Sequence, residues 1–280
     1  MQKEVKRLDR VVIRFAGDSG DGMQLTGDRF TSETASFGND LSTLPNFPAE
    51  IRAPAGTLPG VSSFQLHFAD HDIMTPGDTP DVLVAMNPAA LRANQADLSA
   101  GATVIVNTDE FTTRAIAKAG YAANPLEDGS LDQYQVQAVP LTSTTVRALA
   151  EFDISKKDAE RAKNMFALGL LSWMYNRPTD NTISFLQEKF ARKPEIAAAN
   201  VAAFRAGYNY GDTTEAFAIS GDFANFLSKN SSVDSVGRLY IHDSRPSANM
   251  FFARSASFFD RSKSFSASTV IDVNGTADTR

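Results

Sequence analysis

Two loops hold the residues best suited to chemistry. The first reads Gly17 Asp18 Ser19 Gly20 Asp21 Gly22. It follows the apolar run Val11 Val12 Ile13 Arg14 Phe15, and Met23 Gln24 Leu25 Thr26 Gly27 then opens a helical pattern. A strand, a glycine turn and a helix start can bring backbone N–H groups up to an anion, because glycine tolerates positive φ and the first helical turn leaves its amides unpaired. The second loop runs from Pro45 to Gly60 and contains Glu50 Ile51 Arg52 Ala53 Pro54 Ala55 Gly56. Arg52 carries a planar fork that suits a carboxylate or a phosphate, and Glu50 is placed to pair with it. A loop this long inside a compact α/β unit is more often functional than idle, although an ordinary surface ion pair is the plainer alternative.

Several familiar chemistries do not fit the first loop. Its glycines make no G-x-G-x-x-G frame, and no acidic residue follows the second strand position: Asp40 precedes Leu41 to Leu44, and Pro45 Asn46 come after. Asp18 and Asp21 would set two carboxylates against a phosphate, and like charges repel. No Gly-Lys-Ser or Gly-Lys-Thr triplet follows, which excludes a Walker A loop. Two readings remain open: a loop facing a ligand or a partner, or a tight structural turn with Ser19 or Asp21 capping the helix. The histidines His67, His71 and His242 form no metal-ligand pair, and Asp70 His71 Asp72 reads as a solvated turn. No Gly-x-Ser-x-Gly elbow occurs. The expected catalytic set is therefore empty, as is the metal set.

Composition narrows the classes further. The chain has 280 residues, 42% hydrophobic and 21% charged, with a net charge of -6. An acidic protein lacks the basic surface that a nucleic-acid backbone demands, so no nucleic-acid partner is expected. Cysteine is absent, which excludes disulfides, thiol nucleophiles and an iron–sulfur cluster ligated by this chain. The N-terminus has no apolar h-region and no run reaches membrane-spanning length, so a cytoplasmic protein without a membrane partner is expected.

The elements that must position these loops alternate between Arg10 and about Pro140. Strands are expected at Val11 to Phe15, Ser62 to Phe68, Asp81 to Met86, Ala102 to Val106 and Gln135 to Val139, with helices at about Met23 to Phe37 and Ala89 to Leu98. Such alternation predicts a three-layer α/β/α fold with a mostly parallel sheet. The continuous apolar runs Val82 to Met86 and Thr103 to Val106 read as central strands. The alternating Ser63 Phe64 Gln65 Leu66 His67 Phe68 reads as a strand with one exposed face near the sheet edge. A helical segment follows: Lys156 to Tyr175, Thr182 to Arg192 and Pro194 to Tyr210. The first of these is apolar nearly all round, with Trp173 in the core. Residues 219–280 differ in composition, being rich in serine and free of glutamate. They are expected to form an irregular, poorly ordered tail with short strands at Leu239 Tyr240 Ile241 and Val270 Ile271.

Taken together the motifs resemble a known family. Arg14 to Met23, Phe47 to Thr57 and Asp81 to Asn87, followed by Asn164 to Gly169 and Lys193 Pro194 Glu195, are similar to the gamma domain of 2-oxoacid:ferredoxin oxidoreductases. Within that family the match is to the fused 2-oxoglutarate type, 2-oxoglutarate synthase, in which a gamma domain begins the alpha subunit. The resemblance covers residues 10–218.

The resemblance implies oxidative decarboxylation of a 2-oxo acid to its acyl-CoA, using thiamine diphosphate with Mg2+, an iron–sulfur cluster and coenzyme A as co-substrate. The implied partner is a thiamine- and iron–sulfur-binding beta subunit, with ferredoxin reached indirectly. Carried over residue by residue, Gly17, Asp18, Ser19, Gly20, Asp21, Gly22, Arg52 and Gly56 would face that interface and coenzyme A. A typical gamma domain has Arg-Gly-Gly where this chain has Arg52 Ala53 Pro54, and no Tyr-Pro-Ile-Thr-Pro-type motif follows Ala218. The expectation is thus a gamma domain without its catalytic neighbours, from a truncated or frame-disrupted gene, inactive alone. A non-enzymatic α/β interaction module is the alternative.

Overall fold

The structure, a computed structural model, describes residues 5–7, 9–19, 22–36, 38–50, 53–214 and 220–222, together with four short strands beyond them. Strand β1 (Val5–Arg7) precedes β2 (Arg10–Asp18), which leads into α1 (Met23–Ser36) and β3 (Asp40–Asn46). After the second loop come β4 (Val61–Ala69), β5 (Val82–Ala85), α2 (Pro88–Asn94), β6 (Thr103–Asn107), α3 (Thr113–Lys118) and β7 (Gln135–Val139). The helices α4 (Leu141–Ala148), α5 (Lys156–Arg161), α6 (Lys163–Met174), α7 (Asp180–Lys189) and α8 (Pro194–Thr214) follow, and then β8 (Ser220–Asp222), which pairs with β1 in parallel.

Six strands form one sheet in the order β3-β4-β2-β5-β6-β7. The pairs β2/β5, β5/β6 and β6/β7 are parallel, and only β4 runs against its neighbours. The mostly parallel sheet expected from the alternation is present. From β2 the chain first builds outward to β3 and β4, then returns to place β5, β6 and β7 on the other side. The switch between those directions lies between β2 and β5, the place where an open α/β sheet leaves a crevice at the carboxyl ends of its strands.

Side chains alternate across the central strands into two cores. Val82 and Val84 join Ile13, Phe15 and Phe30 in the core under α1 and the later helices, whereas Leu83 and Ala85 join Leu91, Val104 and Val106 in the core on the other face. Helices therefore cover both faces, as the continuous apolar runs require. Trp173 is buried, and every residue of α6 from Asn164 to Met174 is buried with it. In that crossing Gly169 and Gly207 let α6 and α8 meet backbone to backbone: a Cβ on either would stand 1.9 Å from a carbonyl oxygen of the other helix.

Three expectations need correction. Strand β4 has no exposed face, since Ser62 through Ala69 are all buried, and it lies one place in from the edge. Its polar side chains are covered by the segment that follows it: Gln65 Nε2 donates to the carbonyls of Pro76 (2.8 Å) and Gly77 (2.6 Å), and His67 Nδ1 lies 2.7 Å from Thr75 O. The helix expected over Lys156 to Tyr175 is two helices, because Ala162 takes ψ -6 and Ser155 starts the first with a side-chain cap on Asp158 N. Helices α3 and α4, which no expectation covers, are short, six and eight residues long. By contact the chain divides into Met1–Lys229 and Asn230–Arg280. In the second unit β9 (Ser231–Val233) pairs antiparallel with β10 (Leu239–Ile241), and β11 (Thr269–Ile271) with β12 (Ala277–Thr279), so both strands suggested there are present. Poor order in 219–280 concerns residues that are mostly outside those described.

Candidate functional site

The two motif loops meet at the carboxyl edge of the sheet. Strand β2 ends at Asp18, and its carboxylate accepts the Gly56 N–H through both oxygens at 2.9 Å. One residue on, Ser19 N donates to Gly60 O at 3.0 Å. The second loop is closed on itself by Thr57 N to Pro54 O (3.2 Å) and Gly60 N to Thr57 O (3.0 Å), and Lys118 at the end of α3 donates its ammonium to Ala55 O. Gly56 takes φ +76 in this turn. Asp18 is therefore not an open carboxylate set against an anion; it is the tie between the loops.

Gly22 takes φ +84, and its carbonyl receives Thr26 N at the start of α1. At Gly17 a side chain would press on Met23 and Met86, 3.2 to 3.3 Å away, so β2 and the end of β5 approach closely here. Deeper in the helix, Gly27 lets α1 settle on Phe64 of β4, where a Cβ would stand 2.1 Å from the ring.

Beside the first loop the next strands end in amide and hydroxyl groups. Asn87 caps α2, its side chain accepting Ala90 N at 2.8 Å, with Pro88 in the first turn as that motif favours. Asn107 at the end of β6 donates to Thr142 Oγ1 at 3.0 Å, and Thr142 in turn donates to Glu110 at 3.5 Å. Lys163 is ion-paired with Glu110 at 3.4 Å. A Cβ on Gly22 would lie 3.1 Å from Asn164 Nδ2, which places the start of α6 against the first loop. The edge thus offers polar groups of both signs around a backbone kept open by glycine.

Of the expected site residues, Gly17, Asp18, Ser19, Gly22 and Gly56 are gathered at this edge. Gly20, Asp21 and Arg52 lie outside the described residues. Asn87 carried a local signal in its cap and proline. Asn107, Glu110, Lys163 and above all Lys118 carried none, since each is linked to the site by chain distant in sequence. Among the described residues no group of three or more His, Cys, Asp or Glu could hold a metal ion, and no helix is long and apolar enough to cross a membrane.

Comparison with known proteins places this architecture. The 2-oxoglutarate oxidoreductase subunit KorA of Mycobacterium tuberculosis is 68% identical over 212 residues, a match covering 76% of this chain. The chain spans 32% of that relative's length. A solved 2-oxoglutarate:ferredoxin oxidoreductase from Magnetococcus marinus, with 2-oxoglutarate, coenzyme A and succinyl-CoA bound, shares the fold at TM-score 0.61 and 24% identity, over 78% of this chain and 34% of that one. Pyruvate oxidoreductase subunit PORC of Thermotoga maritima aligns at TM-score 0.45 and 18% identity, over 72% of this chain and 97% of that one. Residues 12–210 match the family described as pyruvate ferredoxin/flavodoxin oxidoreductase, and the chain belongs to that family.

Proposed function

We propose that this chain is the gamma-type part of a 2-oxoglutarate:ferredoxin oxidoreductase, with residues 10–218 as its domain. The edge bearing Gly17, Asp18, Ser19, Gly22 and Ala53 to Gly60 faces the catalytic domains of the enzyme and coenzyme A. One observation carries this reading: Asp18 ties the two motif loops together at the sheet's switch point, the position where open α/β sheets receive ligands. The 68% identical relative supports the choice of 2-oxo acid, and the coenzyme A in the Magnetococcus marinus enzyme supports the choice of ligand.

The residues themselves divide the labour. Having no cysteine, the chain does not fit an iron–sulfur cluster, which belongs on the beta-type partner together with thiamine diphosphate and Mg2+. When bound, coenzyme A supplies the thiol that receives the acyl group. This chain binds and orients: Gly17 and Gly22 keep the backbone accessible, and Asp18 and Ser19 hold the second loop in place.

The test is reconstitution with the remaining domains of such an enzyme, the thiamine- and iron–sulfur-bearing partner included, followed by 2-oxoglutarate- and coenzyme-A-dependent reduction of a viologen dye. The expected result is activity in the mixture, none from this chain alone, and calorimetric binding of coenzyme A in the assembly. Turnover by the isolated chain overturns the division of labour. Absence of coenzyme A binding both alone and in the assembly favours a non-enzymatic interaction module.

A further inference from the structure

The peptide unit between Ala55 and Gly56 is gripped at both poles by side chains of opposite charge. Its N–H, on Gly56, donates to the Asp18 carboxylate, and its C=O, on Ala55, accepts from the Lys118 ammonium. The anion and the cation reach it from the end of β2 and the end of α3, 38 and 63 residues away in sequence. This is the central peptide of a β-turn, Pro54 to Thr57, closed by Thr57 N on Pro54 O. With φ +76 at Gly56, the third position of the turn has the left-handed value that defines type II.

Type I and type II turns differ mainly by a rotation of that central peptide through about 180°. Every peptide carries a dipole of about 3.5 D, positive at N–H and negative at C=O. An anion at one pole and a cation at the other both favour the orientation seen. Rotation would turn the carbonyl oxygen toward Asp18 and the N–H toward Lys118, so both charges oppose it. The Thr57 hydroxyl also donates to Pro54 O, at 2.5 Å, and holds the turn closed without distinguishing the two orientations.

We propose that Asp18 and Lys118 are paired positioning residues that lock the Ala55–Gly56 peptide in its type II orientation, so that the turn Pro54 to Thr57 meets its ligand in one preset shape. The choice of coenzyme A as that ligand rests on the function proposed above; the lock does not. The two arms differ in strength. Asp18 is partly buried and uses two oxygens, whereas Lys118 is exposed and its charge is screened by salt.

Amide hydrogen exchange by NMR on the full chain tests the lock directly. Asp18→Asn is expected to speed exchange at Gly56 N–H by about tenfold, the value of a charge-assisted hydrogen bond near 1.4 kcal/mol. Lys118→Met is expected to speed it by about threefold, in line with an exposed charge, and Lys118→Arg to restore the wild-type rate. Protection at Thr57 and Ser19 stays unchanged. Raising salt to molar levels accelerates Gly56 exchange in the wild type and not in Lys118→Met. A wild-type exchange rate in Lys118→Met, or equal acceleration of every amide in the loop, overturns the lock. The lysine variants decide the matter even if Asp18→Asn fails to fold. In the reconstituted complex the same variants should raise KM for coenzyme A and leave kcat in place. Faster exchange with unchanged KM overturns coenzyme A as the ligand of this loop and leaves the lock standing.

Discussion

The Thr182 hydroxyl donates to the fully buried Glu33 carboxylate at 2.7 Å and so ties α7 to α1, the helix that the first motif loop opens. Arg29, one turn earlier on α1, forms an ion pair with the same carboxylate oxygen, donates through Nε to Thr182 Oγ1 and stacks its guanidinium on Phe185. Glu33 Oε2 has no hydrogen-bond partner among the described residues. A buried carboxylate with one oxygen satisfied depends heavily on its cation. Arg29→Met is expected to destabilise the chain by about 4 kcal/mol, since it strands a buried charge, and Thr182→Val by about 1.5 kcal/mol. Pairing Arg29→Met with Glu33→Leu should recover most of the loss. Urea unfolding followed by the fluorescence of Trp173, the only tryptophan, measures all three. A double variant no more stable than Arg29→Met refutes the buried-charge account.

Where α6 crosses α8 there is no room for a methyl group. A Cβ on Gly207 would sit 1.9 Å from Phe166 O, and the clash is with backbone rather than a movable side-chain end. Gly207→Ala should therefore cost roughly 3 kcal/mol, against the small gain that alanine brings to an open helix position. A thermal midpoint at or above wild type would show that the helices separate without penalty.

Asn87 both caps α2 and stands at the carboxyl end of β5 beside the first loop. Asn87→Ala should lower stability by about 1 kcal/mol, and Asn87→Asp should keep the cap. If Asn87→Ala unfolds at the wild-type urea concentration, the cap contributes nothing.

Burial of Tyr121 raises its pKa from 10.0 to about 12, with Arg92 acting the other way. A raised folded pKa means that the unfolded chain loses its proton first. The contribution is complete below pH 10 and disappears as pH rises toward 12. Spectrophotometric titration of the native chain should show Tyr121 ionising near 12, and Tyr121→Phe should remove that step. Loss of amplitude near pH 10 instead would place the phenol in water.

Short-range chemistry made much of the architecture legible. The apolar runs of β5 and β6, the glycine turn after β2 and the nearly all-apolar stretch of α6 follow from periodicity, backbone freedom and composition within a few residues. Strand β4 misled for a definite reason: Gln65 and His67 look like a solvent face, and only the returning segment 75–77, whose carbonyls receive them, buries that face.

The sequence by itself determined most of the elements, though not α3 or α4, together with both motif loops and the family they resemble, because helix, strand and turn preferences are local. The tertiary structure decided what the loops do to each other. Asp18, which in isolation argues against an anion, is turned onto Gly56, and Lys118, invisible as a motif residue, closes the opposite end of the same peptide. No local pattern encodes a contact across 38 or 63 residues. It exists because the order of strands in the sheet brings the end of β2, the second loop and the end of α3 to one edge.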